Sequence, residues 1–175
     1  MSWVNLLQPN LIVNGTILSL TLEMVLEQGL QGLILDVDET LLPASSGQLS
    51  PAMKQWVAEF KPQVKLALVS NNLNVSRIQA IAQELDLPFY FGAGKPSRRK
   101  LRQAMEAIGV PDQTLGIVGD RLFTDVLGGN RLGLFTILVE PVLPEPGEMS
   151  LLSLIKGPWV RRTEFQLSRW LGAKF

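Results

Sequence analysis

Apolar residues recur along the chain in two alternating patterns, short continuous runs and longer stretches with helical spacing. The continuous runs have the length and aliphatic content of buried strands. They lie at Leu33–Val37, Lys65–Ser70, Phe89–Phe91, Leu115–Val118 and Leu134–Val139. The stretches with helical spacing and helix-start signals lie at Ser50–Phe60, Asn74–Leu85, Pro96–Ile108 and Thr124–Arg131.

Strands that alternate with helices are typical of βαβ units and of a parallel sheet covered on both faces. We therefore predict a single α/β domain over residues 1–175, with five parallel strands in a core of about residues 32–140. Two flanks adjoin this core. Residues 1–31 contain an amphipathic helix candidate, Ile17–Gln28, and residues 141–175 form a basic tail.

The composition excludes several kinds of chemistry. The 175 residues include no cysteine and no histidine, which excludes disulfides, thiolate catalysis, imidazole metal ligands and Ser-His-Asp catalysis. Acid–base chemistry must then use Asp, Glu, Lys, Tyr or water, and oxygen ligands favour Mg²⁺, Mn²⁺ or Ca²⁺. The sequence shows no secretory signal and no apolar run of membrane-spanning length, so we expect a cytoplasmic protein.

Polar side chains follow the predicted strands, at the edge where parallel sheets form their sites. They are Asp36 and Asp38 after the first strand, Ser70 and Asn71 after the second, Lys95 at a helix start, and Asp120 and Asp125 after the fourth strand. Carboxylates crowded at one edge repel one another unless a cation lies between them. With a Mg²⁺ ion, a lysine, and donors such as Ser70 and Asn71 for phosphate oxygens, they form a phosphoryl-transfer site.

The spacing within Asp36-Val37-Asp38 assigns different tasks to its two acids. Because the strand ends here, Asp36 can face the substrate while Asp38 turns over the leaving group. We expect Asp36 to attack phosphorus and form an aspartyl-phosphate, and Asp38 to protonate the leaving oxygen and then activate water. Asp120 is expected to bind Mg²⁺, and Asp125 to support it directly or through water.

Each signal alone is common in loops, but their combination resembles the haloacid dehalogenase (HAD) superfamily. The matching motifs are Asp36-x-Asp38-x-Thr40, Ser70, Lys95, and Gly119-Asp120 followed by Asp125. The resemblance implies a three-layer Rossmann-like fold, a catalytic Lys95, a phosphate-binding Thr40, and Asp36 and the Asp38 main-chain carbonyl as additional metal ligands. The second acid of the first motif, Asp38, marks the phosphatase branch of the superfamily.

The flanks narrow this resemblance. The stretches Leu7-x-Pro9-Asn10-Leu11 and Pro158-Trp159-Val160-Arg161-Arg162-x-Glu164 are similar to the YqeG family. This is a group of subfamily IIIA phosphatases without a cap domain, related to the phosphatidylglycerophosphate phosphatases of mitochondria and plastids. One departure is Glu39, where relatives more often carry Asn. The gaps between the motifs also leave no room for an inserted cap, which predicts an open site.

These features favour a Mg²⁺-dependent phosphatase that converts phosphatidylglycerophosphate to phosphatidylglycerol. The apolar segment 1–31 and the basic tail could contact an anionic membrane, or they could pack on the sheet. A soluble nucleotide or sugar phosphate is an alternative substrate. A receiver-like module phosphorylated on aspartate is less favoured, because its acids would not follow the first and fourth strands. No nucleic-acid partner is expected.

Overall fold

The computed structural model of the chain describes residues 3–144 and Gln166. The sequence features placed beyond residue 144, including the basic Trp-containing stretch at 158–164, therefore lie outside the described residues. Within them, no helix is both long enough and apolar enough to cross a membrane.

Parallel strands form one sheet at the centre of the described chain. They are β1 Leu11–Ile12, β2 Gly32–Leu35, β3 Lys65–Val69, β4 Phe89–Tyr90, β5 Leu115–Gly119 and β6 Phe135–Leu138. Their order across the sheet is β1-β6-β5-β2-β3-β4. The central strand β2 pairs with β3 on one side and β5 on the other, so that Ile34 lies beside Ala67 and Ile117. Continuous apolar runs predict such strands well, because both of their faces are buried.

The prediction of five strands is wrong by one, because β1 was missed. Leu11 and Ile12 pair in parallel with Ile137 and Leu138 of β6. Asn10 fixes the start of this pairing: its Oδ1 accepts a hydrogen bond from the Thr136 N–H at 2.8 Å, and its own N–H donates to the Thr136 carbonyl at 2.9 Å. A strand of two residues has no alternation to detect, and its partner lies far away in the sequence.

Helices cover both faces of the sheet, and side-chain caps set several of their starts. The α-helices are α1 Leu22–Glu27, α2 Pro51–Phe60, α3 Val75–Leu85, α4 Arg99–Ile108 and α5 Leu127–Asn130. The side chain of Ser50 accepts a hydrogen bond from the Met53 N–H, and that of Asn74 accepts one from the Arg77 N–H. These caps satisfy backbone donors that the first helical turn leaves unpaired.

Two predicted helices differ from those observed. The candidate at Ile17–Gln28 is divided into a 3₁₀ turn, Ile17–Ser19, and the shorter α1, because Thr21 is extended and caps α1 with its side chain. The candidate at Thr124–Arg131 begins instead with a π-helical turn, Leu122–Val126, that continues into α5.

The segment before β2 packs on the sheet. Ile17, Leu20 and Val25 are buried in the same core as Leu33 and Leu35 of β2. Trp56 of α2 strengthens this packing, because its indole Nε1–H donates to the Leu20 carbonyl at 2.8 Å. These buried side chains belong to the core, while Leu18 and Leu26 of the same segment are exposed.

Candidate active site

The three central strands end in polar residues at one edge of the sheet. Asp36 follows β2, Ser70 follows β3, and Asp120 follows β5, and all three are buried. Since β2 lies between β3 and β5, these side chains converge beyond the carboxyl ends of the strands, where open α/β sheets bind ligands. No domain is inserted over this edge in the described part of the chain, in agreement with the predicted open site.

Beneath this edge lies a buried cluster of charges made by Asp36, Lys95, Asp120 and Asp125. The Lys95 ammonium lies 2.6 Å from Asp36 Oδ1 and 2.6 Å from Asp125 Oδ1, and its side chain is only 1% exposed. It also donates to the Val69 carbonyl at 3.0 Å. A lysine this deeply buried keeps its charge only because two carboxylates pair with it.

Asn71 positions Lys95 through the main chain. Its Oδ1 accepts a hydrogen bond from the Lys95 N–H at 2.7 Å, and its Nδ2 donates to the Lys95 carbonyl at 3.2 Å. The peptide bond between Lys95 and Pro96 is cis. The predicted phosphate ligand Asn71 thus clamps the backbone that carries the lysine, and its contact with phosphate stays a prediction.

The fourth motif brings Asp125 onto the end of β5. The π-helical turn Leu122–Val126 folds Asp125 back so closely that a Cβ atom on Gly119 would lie 2.3 Å from the Asp125 carboxyl carbon. Only glycine allows this approach, which explains why Gly precedes Asp120 here. A single π-helical turn of this kind is frequent at functional sites.

The buried cluster holds more negative charge than positive. Burial, and next the Asp125 carboxylate, raise the pKa of Asp36 to about 7. Burial, then Asp125 and Asp36, raise the pKa of Asp120 to about 8. Burial lowers the pKa of Lys95, but the Asp125 and Asp36 carboxylates more than offset this, so the pKa lies above its ordinary value. One ammonium group therefore opposes three carboxylates.

Three of these carboxylates are close enough to share a metal ion. Ligand oxygens of Asp36, Asp120 and Asp125 all lie within 4.8 Å of one another. An all-oxygen set with an excess of negative charge suits a hard divalent cation such as Mg²⁺. The predicted ligand Thr40 lies beside this set, where its hydroxyl donates to Asp120 Oδ1 at 3.1 Å. Its role as a phosphate ligand stays a prediction.

Asp38 lies above the buried cluster in a second group with Ser70, Asn72 and Arg77. The Ser70 hydroxyl and Asn72 Nδ2 donate to Asp38 Oδ2 at 3.1 and 3.2 Å. Arg77 Nη1 lies 2.6 Å from Asp38 Oδ1, and the Asp38 side chain is 24% exposed. We call these four residues the Asp38 group. Its Ser70 hydroxyl therefore contacts the expected acid–base residue.

Arg77 was missed by sequence reasoning. Its Nε and Nη2 donate to the Ser46 carbonyl at 3.0 and 2.9 Å, so one guanidinium joins Asp38 to the loop before α2. The available signal was the Asn74 cap, which places Arg77 in the first turn of the helix that follows β3. Its acidic partner, 39 positions away, could not be read from that signal.

A cleft of about 290 Å³ opens between the buried cluster and the Asp38 group. Its lining residues are Asp36, Asp38, Glu39, Ala44, Asn71, Asn72, Arg121 and Thr124. The predicted nucleophile Asp36 and the predicted acid–base residue Asp38 thus line one cavity. Lys95, Asp120 and Asp125 lie close to Asp36 and are not among the lining residues. Arg121 and Asn72 also line the cleft and were not predicted as site residues.

Comparison with known proteins decides the family. A family model described as HAD-hydrolase-like matches residues 92–141. The probable phosphatase YqeG of Bacillus subtilis is 36% identical over 132 residues, which are 75% of this chain and 76% of that protein. This chain belongs to the YqeG family of HAD-superfamily phosphatases. The resemblance predicted from the motifs and flanks is therefore confirmed.

More distant proteins extend the comparison of this YqeG-family chain. Phosphatidylglycerophosphate phosphatase 1 of Arabidopsis thaliana is 28% identical over 163 residues, which are 85% of this chain but only 44% of that longer protein. The cobalt-bound deoxy-D-mannose-octulosonate 8-phosphate phosphatase YrbI of Haemophilus influenzae has the same fold, with a TM-score of 0.52 at 13% identity. That match covers 82% of this chain and 88% of YrbI, and confirms the predicted fold class.

Proposed function

We propose that this YqeG-family phosphatase hydrolyses phosphatidylglycerophosphate to phosphatidylglycerol with the help of Mg²⁺. The observation that carries the chemistry is the arrangement around the cleft. Asp36 and Asp38 both line the cleft, and Lys95 pairs with the Asp36 carboxylate. The lipid substrate is supported by the relative in Arabidopsis thaliana and by the absence of an inserted cap from the described chain.

The buried cluster would hold the metal. Asp36, Asp120 and Asp125 offer carboxylate oxygens, and the family resemblance adds the main-chain carbonyl of Asp38. A bound Mg²⁺ would neutralise negative charge on the phosphoryl oxygens. Lys95 remains between Asp36 and Asp125, where its positive charge opposes the rise that burial causes in the pKa of Asp36.

In the first half-reaction the Asp36 carboxylate attacks phosphorus. An oxygen–phosphorus bond forms to Asp36 while the bond from phosphorus to the glycerol oxygen breaks. The Asp36 carboxylate is oriented for this attack, because its Oδ1 accepts from the Val37 N–H at 2.8 Å and pairs with Lys95. Asp38 supplies the proton that the departing oxygen needs.

In the second half-reaction water releases the phosphate. Asp38, now a carboxylate, takes a proton from water as its oxygen attacks phosphorus, and the bond to Asp36 breaks. Asp36 returns as a carboxylate and inorganic phosphate leaves. Asp38 can serve both steps because its carboxylate reaches the cleft while Arg77, Ser70 and Asn72 hold it.

Phosphate release by the purified protein tests this proposal. The substrates are phosphatidylglycerophosphate in vesicles and a panel of soluble nucleotide and sugar phosphates, each with Mg²⁺ or with EDTA. The variant is Asp36→Asn, and the matched control is Asp112→Asn, which makes the same change at an exposed position before β5.

We expect Mg²⁺-dependent release that prefers the lipid. Asp36→Asn should lower turnover by at least about 10⁴-fold, as loss of a nucleophile does, and Asp112→Asn should leave it unchanged. An active Asp36→Asn protein would disprove the mechanism. A preference for a soluble phosphomonoester would replace the lipid by that substrate and leave the mechanism standing.

A further inference from the structure

The most exposed large apolar side chain of the described residues lies beside the cleft. Leu73 is 81% exposed and directly follows Asn72, which lines the cleft. Val75 and Phe91 are 38% and 37% exposed. We call these three residues the apolar rim. Isolated apolar residues on a surface are normal, so only the position of the apolar rim beside the cleft and its basic neighbours can indicate a binding role.

The apolar rim is continuous with the carboxyl edge of the sheet. Leu73 follows the end of β3, and Phe91 follows β4. The Gly92 N–H donates to the Asn72 carbonyl at 2.9 Å, which joins the two loops. Leu73 leans over this junction, since a Cβ atom on Gly92 would lie 3.2 Å from Leu73 Cδ2. Leu73 and Phe91 therefore border the same side of the cleft.

Basic side chains adjoin the apolar rim. Lys100 Nζ lies 5.9 Å from the centre of the Phe91 ring, a cation–π distance. Arg98 and Arg99, at the start of α4, are exposed and form no ion pair with a described residue. Residues 87–105 contain no aspartate or glutamate. This face of the cleft is consequently apolar and positively charged.

We propose that the apolar rim and its basic neighbours dock on an anionic lipid bilayer and hold the cleft over a headgroup. Apolar side chains beside Lys and Arg fit the boundary between acyl chains and anionic headgroups. The proposal rests on the lipid substrate proposed above, since a docking surface next to the cleft serves a phosphate that is embedded in a membrane. It assigns docking to the β3–β4 side of the cleft. The segment before β2 also exposes Leu18 and Leu26, but residues 1–31 contain no lysine or arginine that could attract an anionic surface.

Vesicle binding tests the docking surface without any use of catalysis. The full chain is sedimented with vesicles of phosphatidylcholine alone or with one third phosphatidylglycerol. The variants are Leu73→Glu and the pair Arg98→Glu with Arg99→Glu. The matched control is Leu26→Glu, because Leu26 is 43% exposed on α1, which leads into the amino end of β2 and not into its carboxyl end beside the cleft. Glutamate at the start of α4 suits the helix dipole, so the charge reversals should not impair folding.

We expect the wild-type protein to bind anionic vesicles and to bind neutral ones at least tenfold more weakly. Each basic residue near such a surface contributes about fivefold to binding. Leu73→Glu and the double reversal should each weaken binding at least tenfold, and Leu26→Glu should not change it. Equal binding by wild type and Leu73→Glu, or a loss also seen in Leu26→Glu, would overturn the proposal.

A second measurement separates docking from the proposed function. Leu73→Glu should slow hydrolysis of phosphatidylglycerophosphate in vesicles at least tenfold, yet leave hydrolysis of a monomeric short-chain form unchanged. Equal losses on both forms would mean that Leu73 acts on the site itself and would contradict docking. If the wild-type protein hydrolyses neither form, the lipid function fails, and vesicle binding alone still decides the docking surface.

Discussion

The two acids of the Asp36-Val37-Asp38 segment lie in opposite electrostatic surroundings. Asp36 is buried beside Asp120 and Asp125, and one lysine opposes all three carboxylates. Asp38 is partly exposed, and an arginine, a hydroxyl and an amide already donate to its two oxygens. The buried cluster therefore has an excess of negative charge that a cation would neutralise. In the Asp38 group, both carboxylate oxygens already accept hydrogen bonds. Environment, rather than residue type, separates the proposed nucleophile Asp36 from the proposed acid–base residue Asp38.

Substitution of Asp38 should have the largest effect on the difference between the two acids. Asp38→Asn removes the proton donor, so kcat/KM for alkyl phosphates should fall about 10²- to 10⁴-fold. An aryl phosphate such as p-nitrophenyl phosphate needs little protonation of its leaving group, and its kcat/KM should fall less than about tenfold. Steady-state kinetics on both substrates measure the difference. Equal losses would show that Asp38 is not the acid.

Metal binding should act on the buried cluster alone. The folded pKa values of Asp36 and Asp120, about 7 and about 8, exceed the unfolded value of 3.8. Their contribution to the stability of the metal-free protein is thus full below about pH 4 and is lost as the pH rises through 7 and 8. Mg²⁺ at about 100 times its Kd should add about 2.7 kcal/mol, or roughly 5–10 °C in Tm. At a fixed Mg²⁺ concentration, the increase in Tm should be larger at pH 8 than at pH 6, because Asp36 and Asp120 bind the ion as carboxylates.

Thermal unfolding with and without Mg²⁺ measures this gain in two variants. Asp125→Asn removes a proposed ligand and should abolish most of the gain, whereas Asp38→Asn keeps its main-chain carbonyl and should retain it. A Mg²⁺ gain that survives Asp125→Asn would place the metal elsewhere.

Arg77 should have a smaller effect, because it pairs with Asp38 but is not among the residues that line the cleft. Arg77→Gln removes the charged partner of Asp38 and the donors to the Ser46 carbonyl. We expect kcat/KM on a soluble alkyl phosphate to fall about tenfold, while kcat/KM on p-nitrophenyl phosphate changes less. Arg102→Gln on α4 is the matched control. A uniform loss on both substrates would indicate a purely structural role.

The smallest effect is expected at Glu39, between the two groups. Its φ of 64° lies in the left-handed region, which Asn tolerates better than Glu. Glu39→Asn should therefore raise the free energy of unfolding by about 0.5–1 kcal/mol in denaturant titrations. Glu39→Ala removes the same charge but keeps a residue that disfavours this conformation. If both variants stabilise equally, charge rather than backbone conformation is the cause.

The sequence allowed the strands and most helices to be predicted because their signals are local. Buried strands such as β2 and β5 are continuous apolar runs, and the capping residues Ser50 and Asn74 predict the starts of α2 and α3. The acids and Lys95 were predicted to meet because parallel strands end at one edge. The family and the fold followed from these motifs and are confirmed.

The hydrogen-bond partners at the site could not be predicted from sequence. Thr40 donates a hydrogen bond to Asp120, 80 positions away, and the Asn71 side chain forms two hydrogen bonds with the backbone of Lys95. From the sequence alone, either side chain could equally have contacted phosphate, because a hydroxyl or an amide can form hydrogen bonds with many different groups. Only the packed arrangement selects one, and the same holds for Arg77 and Asp38.

The bonds between Asn10 and Thr136 make completion of the fold a late event in synthesis. They join residues 126 positions apart, so the edge strand β1 has no partner until β6 has been made. Contacts of such long range form slowly, and unpaired strands are prone to pair with other chains. A ribosome that stalls between β5 and β6 would leave both β1 and the open edge of β5 unpaired, so we expect such a stalled chain to aggregate more readily than the finished one.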